Sequence, residues 1–213
     1  MRTIDLQTWP RRKHFEVYRA FDYPHFSLCA NVEITRLLPL IKERGLSHTV
    51  VIVYLLARAA NTLPEFRLRI RGEAVVEHEM VHPSPTILAQ EDLFSFCTMP
   101  YDADFDTFQQ NALAAIQRVK SDPTLEDEPG QDDLLFMTGI PWVSFTSMMH
   151  PIHMHPADSV PRLAWGKFFS EGGQVKMPLA VQVNHALMDG VHVGRYYQLV
   201  QSWLDDPLAV LAG

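Results

Sequence analysis

A helix over residues 48–62, capped by Ser47 and stopped before Pro64, constrains this chain more than any other feature. Val50, Val51, Ile52, Val53, Leu55 and Leu56 crowd together and leave it no broad polar face. Such a helix has to be packed on most sides, so the chain must build layers around it. It is no bilayer span, because the longest apolar run, 49–57, ends at Arg58, far short of the ~20 residues a membrane requires.

Around that helix the sequence alternates short strands and helices without an internal repeat. Thr8-Trp9-Pro10 reads as the entry to a short helix through Tyr18, with Thr8 as cap and Pro10 in the first turn. Residues 26–34 alternate apolar and polar side chains as a half-buried strand does, and Thr35 is placed to cap a helix ending at Gly45. Segments 66–71 and 74–80 flank Gly72-Glu73 as a hairpin, and 93–97 reads as a further strand. Residues 104–120 space Phe105, Phe108, Ala112, Ala115 and Val119 at helical intervals. An acidic loop over 121–133 leads to expected strands at 134–137 and 142–147. A second hairpin joins 162–169 to 175–183, and a final helix runs from Gly190 to about Leu204 with Val193, Tyr197, Val200 and Leu204 on one face. Strands outnumber helices in mixed order, so the expected class is α+β, a mixed α/β two-layer sandwich forming one domain over 1–213.

Composition narrows the function. Lys and Arg total 18 against 25 Asp and Glu, a formal charge of −7, so no basic excess is available to track a nucleic-acid backbone. Cys29 and Cys97 lie far apart and in no CxxC spacing, which speaks against a disulfide framework or a Cys-based zinc site. The N-terminus has no apolar core followed by small residues, so no secretory signal is expected. These features point to a cytoplasmic protein with neither membrane nor nucleic-acid partner.

The densest chemistry lies in Asn184-His185-Ala186-Leu187-Met188-Asp189-Gly190. Leu179, Val181, Val183 and His185 share one face of a strand by its two-residue period, which places the imidazole at the strand's carboxyl end, level with the core. An imidazole held there can take a proton near neutral pH. Asp189 follows after one turn and Gly190 launches the next helix; that carboxylate is better placed to fix the turn through an Arg or backbone partner than to touch the ring. The ordinary alternative is a core histidine followed by Asp-Gly turn material. Of the ten histidines, only His185 is followed by Asp at the fourth position and Gly at the fifth.

Several segments in order carry a resemblance. Trp9, Arg11-Arg12, His14-Phe15-Glu16 and Tyr18 form W-x-R-R-x-H-F-E-x-Y, and Gln90-Glu91, Phe94-Ser95, Pro100-Tyr101 and Lys120-Ser121-Asp122 follow. Then come Pro141-Trp142-Val143-Ser144-Phe145-Thr146-Ser147, the run 178–183 into His185, and 190–195. In these the chain resembles the trimeric chloramphenicol acetyltransferases nearly end to end. The resemblance implies the two-layer CoA-dependent acyltransferase fold and a homotrimer with active sites between subunits. It implies acetyl-CoA as co-substrate, no metal, and chloramphenicol or a related hydroxylated small molecule as acceptor, an antibiotic-resistance activity. His185 is then the general base for direct attack of a hydroxyl on the thioester. Thr138 stands where the family has an oxyanion-binding serine, and Asp189 pairs with Arg11 to hold the site. On spacing alone those two would be unrelated surface charges.

Tyr18 and Phe94 match positions facing the antibiotic, although local spacing alone would make them core. His150 and Ala164 fall where an aliphatic contact and a pocket threonine are usual. Trp142 belongs to the acetyl-CoA side, with Lys167 and Lys176 as candidates for its phosphates. Asn184 replaces a second histidine before the base and Met188 the commoner Cys. A metal-binding reading of His150, His153 and His155 lacks a completing carboxylate or Cys. Two other functions remain at this stage. A dihydrolipoyl acyltransferase domain also ends in H-x-x-x-D-G but would need further domains that 213 residues do not hold. A catalytically idle trimeric binder would need none of His185, Thr138 and Asp189.

Overall fold

The computed structural model describes residues 1–126 and 128–211, so position 127 of the acidic loop and the last two residues lie outside it. A seven-stranded mixed sheet forms one layer. Its strands are β2 (His25–Glu33), β5 (His82–Gln90), β6 (Leu93–Phe96), β7 (Leu134–Ile140), β8 (Arg162–Gly166), β9 (Phe169–Glu171) and β10 (Gln174–Asn184). The spatial order is β2-β10-β8-β7-β5-β6, with β9 beside β10. Pairs β5–β7 and β7–β8 are parallel and the others antiparallel. A small second sheet pairs β1 (Arg2–Thr3) and β3 (Leu68–Arg71) with β4 (Ala74–Glu77).

Helix α3 (His48–Thr62) is the hub of the other layer. Ser47 caps it by accepting from the Val50 N–H, and Val50 to Ala57 are all buried. It packs between α4 (Phe105–Ser121) and α5 (Gly190–Asp205), against β5 and β7, which is the enclosure its composition demands. The Tyr54 and Tyr196 hydroxyls donate to the Ala103 and Leu56 carbonyls, so both buried phenols are satisfied. The helices cover the sheet face bearing Leu163, Leu179, Val181 and Val183, all at 0% exposure. Side chains of the intervening positions, Thr138, Ala164, Ala180 and Gln182, point to the other face.

The structure departs from the sequence expectations at several places. Helix α1 (Arg12–Tyr18) starts after Pro10; Thr8 bonds back to Asp5 instead of capping it. Helix α2 (Leu37–Arg44) begins after Arg36, and Thr35 accepts the Val175 N–H, tying the helix entry to β10. Strand β5 is not among the expected strands, and it carries Pro83 and Pro85, which a sheet interior disfavours. Both prolines have the same parity, facing Met99 and Cys97, whose N–H groups their carbonyls accept, so the ladder to β7 is untouched. No strand forms over 142–147. Pro141 ends the β7 ladder, and Trp142 and Val143 are 72% and 53% exposed, so no burial rewards an extended pairing. A last short helix, α6 (Pro207–Leu211), adds Val210 and Leu211 to the core.

A second, smaller hydrophobic cluster matters for the site. Phe15, Leu68, Val75, Ala186 and Leu187 pack together with Trp9 and Tyr18 at its edge. The turn between His185 and Asp189 is thereby nailed to the N-terminal segment rather than left on the surface.

Candidate active site

His185 sits immediately beyond β10, where its backbone N–H donates to the Pro24 carbonyl at 2.6 Å. The Tyr18 ring lies flat against the imidazole, with centroids 3.9 Å apart and planes 6° from parallel, and Phe26 meets it at 4.9 Å on a tilt. Stacking fixes the plane of the ring, so Tyr18 acts first on His185 itself. Nδ1 is buried with no hydrogen-bond partner among the described residues.

Asp189 caps α5. Its carboxylate accepts from the Val191 N–H at 3.2 Å and from Arg11 Nη1 at 2.7 Å, while Arg11 Nη2 reaches the His185 carbonyl at 3.4 Å. Partial burial alone would raise this carboxyl. The Arg11 hydrogen bond, helped by the charges of His192 and Arg11, outweighs that and holds it below the ordinary aspartate value. One guanidinium therefore clamps both ends of the His185–Asp189 turn.

Thr138 lies on β7, level with Ala164 on β8, which is itself level with Ala180 on β10. Two cavities open beside it, of about 630 and about 800 Å³, and both are walled by Thr86, Phe94 and Thr138. They adjoin at these shared residues as two arms of one groove. The first arm adds Phe96, Phe136, His150, Asp158 and Arg162. The second adds Ser47, Thr49, Lys120, Trp142 and Trp165. His150 is partly buried and places Nε2 3.4 Å from Thr138 Oγ1. Burial lowers its pKa, the Arg162 charge lowers it further, and the Gln182 hydrogen bond opposes both. Arg162 is paired with Asp158 and lies over the Phe136 ring at 5.1 Å, so the wall carries a largely buried charge pair.

The structure places several expected contacts away from these two cavities. Ala164 is fully buried at 0% exposure between Thr138 and Ala180, so it offers no surface to a ligand. Lys176 is held by Glu171 at 2.6 Å near the opposite end of β10. Lys167 is exposed, and its backbone N–H bonds the Val143 carbonyl beside Trp142; the cation on the cavity wall is Lys120. Tyr18 lines neither arm of the groove. Lys120, Arg162 and Asp158 were missed as site residues because register and loop path, invisible in a single sequence, bring them there. Among the described residues no group of three or more His, Cys, Asp or Glu is arranged to hold a metal ion.

The structure does not bring His185 to Thr138 within one chain. His185 is five residues beyond Ala180 on β10 and of the opposite side-chain parity, and Thr138 is two strands across. At about 3.3 Å per residue and about 4.8 Å per strand the separation is roughly 19 Å.

The family model for chloramphenicol acetyltransferase matches residues 1–201. The chain belongs to the chloramphenicol acetyltransferase family. It is accordingly an acyltransferase of α+β, CoA-dependent acyltransferase fold. Among curated relatives, a chloramphenicol acetyltransferase of Bacillus pumilus is 33% identical over 213 residues, covering 96% of this chain and 97% of that one. Chloramphenicol acetyltransferase 3 of Escherichia coli is 32% identical with the same coverage. A solved chloramphenicol acetyltransferase structure superposes with a TM-score of 0.85 at 28% identity, over 95% of this chain and 99% of that one. A dihydrolipoamide acetyltransferase of Azotobacter vinelandii shares the fold at 16% identity and a TM-score of 0.69, over 93% and 88% of the two chains. No helix among the described residues is long and apolar enough to cross a membrane.

Proposed function

We propose that this member of the chloramphenicol acetyltransferase family moves the acetyl group of acetyl-CoA to a hydroxyl of chloramphenicol or a related small molecule. The observation that carries the reading is the groove with two arms meeting at Thr138. Such a groove holds two substrates end to end, with their reacting groups beside one hydroxyl. Acetyl-CoA takes the arm with Trp142, Lys120 and the Ser47 end of α3, where a phosphate would meet both a cation and a helix N-terminus. The acceptor takes the arm with Phe96, Phe136 and His150.

In this reading the neutral His185 imidazole takes the proton of the acceptor hydroxyl as its oxygen bonds to the thioester carbonyl carbon. The carbonyl oxygen becomes an oxyanion and receives a hydrogen bond from Thr138. The intermediate collapses by breaking the C–S bond, and the leaving thiolate takes the proton back from His185. Tyr18 and the Arg11–Asp189 clamp keep the imidazole in one orientation throughout. The roughly 19 Å between His185 and Thr138 supports a site shared between copies, with the base of one subunit facing the groove of the next, in a homotrimer. We place the single domain in the cytoplasm, where acetylating an antibiotic hydroxyl would serve resistance.

The Arg162–Asp158 pair and His150 favour a second acceptor reading, a hydroxylated molecule with more hydrogen-bonding groups than chloramphenicol. The test is thiol release from acetyl-CoA with chloramphenicol and with a panel of more polar alcohols, run alongside sedimentation. Turnover on chloramphenicol by a trimer is expected. An active monomer would sink the shared site, and no thiol release with any acceptor would sink the function.

A further inference from the structure

We propose that His150 is a positioning residue for acetyl transfer, donating from Nε2–H to Thr138 Oγ1 and so turning the Thr138 proton towards the oxyanion. The inference rests on the reading of Thr138 as oxyanion donor and names the group that aims that donor. A threonine hydroxyl has one proton and two lone pairs and rotates to suit its neighbours. A donor fixed beside one lone pair leaves the proton free to point elsewhere. The two bonds then run in series, and each strengthens the other.

His150 is built to stay where it is. Its backbone N–H donates to Gln182 Oε1 at 2.7 Å, and its carbonyl accepts from Gln182 Nε2 at 3.4 Å. Gln182 is 2% exposed on β10, so this clasp is anchored in the sheet. Thr138 contributes a β-branched side chain with few available rotamers.

The tautomer follows from the surroundings. His150 Nδ1 is buried and has no hydrogen-bond partner among the described residues. A proton there would bury an N–H with nothing to receive it, and Nε2 would draw the Thr138 proton away from the substrate. A proton on Nε2 leaves only a lone pair unmatched and satisfies Thr138 as an acceptor. Burial and the Arg162 charge both disfavour a second ring proton, against the Gln182 hydrogen bond. No bond is made or broken on either residue; His150 only orients.

The test is kinetic, with acetyl-CoA and chloramphenicol as substrates. His150→Leu should lower kcat roughly fivefold, the scale of one hydrogen bond, with KM for acetyl-CoA unchanged. A Gln amide nitrogen reaches the position of Nε2, whereas an Asn nitrogen stops short of it. His150→Gln should therefore recover most of the loss and His150→Asn should not. Unfolding midpoints separate this from folding, and the Gln and Asn pair carries the test even if the Leu variant folds poorly. In the Thr138→Ala background, His150→Leu should cost nothing further, because the bond it removes is already gone. Equal kcat for the Gln and Asn variants, or a His150→Leu loss that persists in full without the Thr138 hydroxyl, overturns the positioning role. If Thr138→Ala itself leaves kcat unchanged, the oxyanion assignment fails instead, and this inference with it.

Discussion

The Tyr18 ring lies parallel to the His185 imidazole at 3.9 Å between centroids, although 167 residues of sequence separate them. Helix α1 brings Tyr18 there because Phe15, one turn earlier, is buried in the same small cluster as Ala186 and Leu187. The orientation of the His185 ring is thus a by-product of packing. Tyr18→Phe keeps the stack and should hold kcat within about threefold, whereas Tyr18→Ala should lose roughly tenfold or more as the ring gains freedom. Steady-state kinetics of the two variants check this; equal values would mean the stack does nothing.

His185→Ala removes the only base the mechanism offers, so kcat should fall by about 10²–10⁴. The surrounding turn is held by Ala186, Leu187 and Arg11, so the unfolding midpoint should barely move. Turnover within tenfold of the parent would remove His185 from its role.

The Arg11–Asp189 bond predicts a particular dependence on acid. Asp189 has a folded-state pKa below its unfolded one, near 3.9, so its contribution to stability is complete above about pH 4 and is lost as pH falls through the lower folded value. Asp189→Asn should flatten that part of the acid limb when the unfolding midpoint is followed from about pH 6 to about pH 3. Superimposable limbs for parent and variant would show the clamp to be energetically idle.

Gly139 stands level with Trp165, and a Cβ built on it would meet the indole at 2.8 Å. Gly139→Ala must push that ring aside, at about 1–3 kcal/mol for an overpacked contact. Trp165 also walls the arm assigned to acetyl-CoA, so KM for acetyl-CoA should rise while KM for the acceptor stays constant. Thermal unfolding together with both KM values tests the two halves of this expectation.

The parts legible in the sequence were those with a local cause. Helix α3 follows from its cap and its apolar run, and the His185–Asp189 turn from one strand period and one Asp-Gly pair. Strand β5 went unassigned, and the shared parity that lets it carry Pro83 and Pro85 has meaning only once the partner strands are known. Trp142 to Ser147 looked like a strand because apolar residues usually mark burial, yet Trp142 is exposed on a cavity wall. Lys120 and Arg162 reach the groove through tertiary register. Spacing within one chain cannot express that.

The distance between His185 and Thr138 also has a genetic consequence. If each site draws its base from one subunit and its oxyanion donor from the next, a chain lacking His185 and a chain lacking Thr138 are each impaired in their own trimers but complementary in mixed ones. Random assembly of equal amounts leaves every mixed trimer with one intact site in three, so about a quarter of all sites should work. Co-expressing His185→Ala and Thr138→Ala should restore activity towards that fraction, and mixing the separately assembled trimers should not. Two defective alleles in one cell would then make a working enzyme.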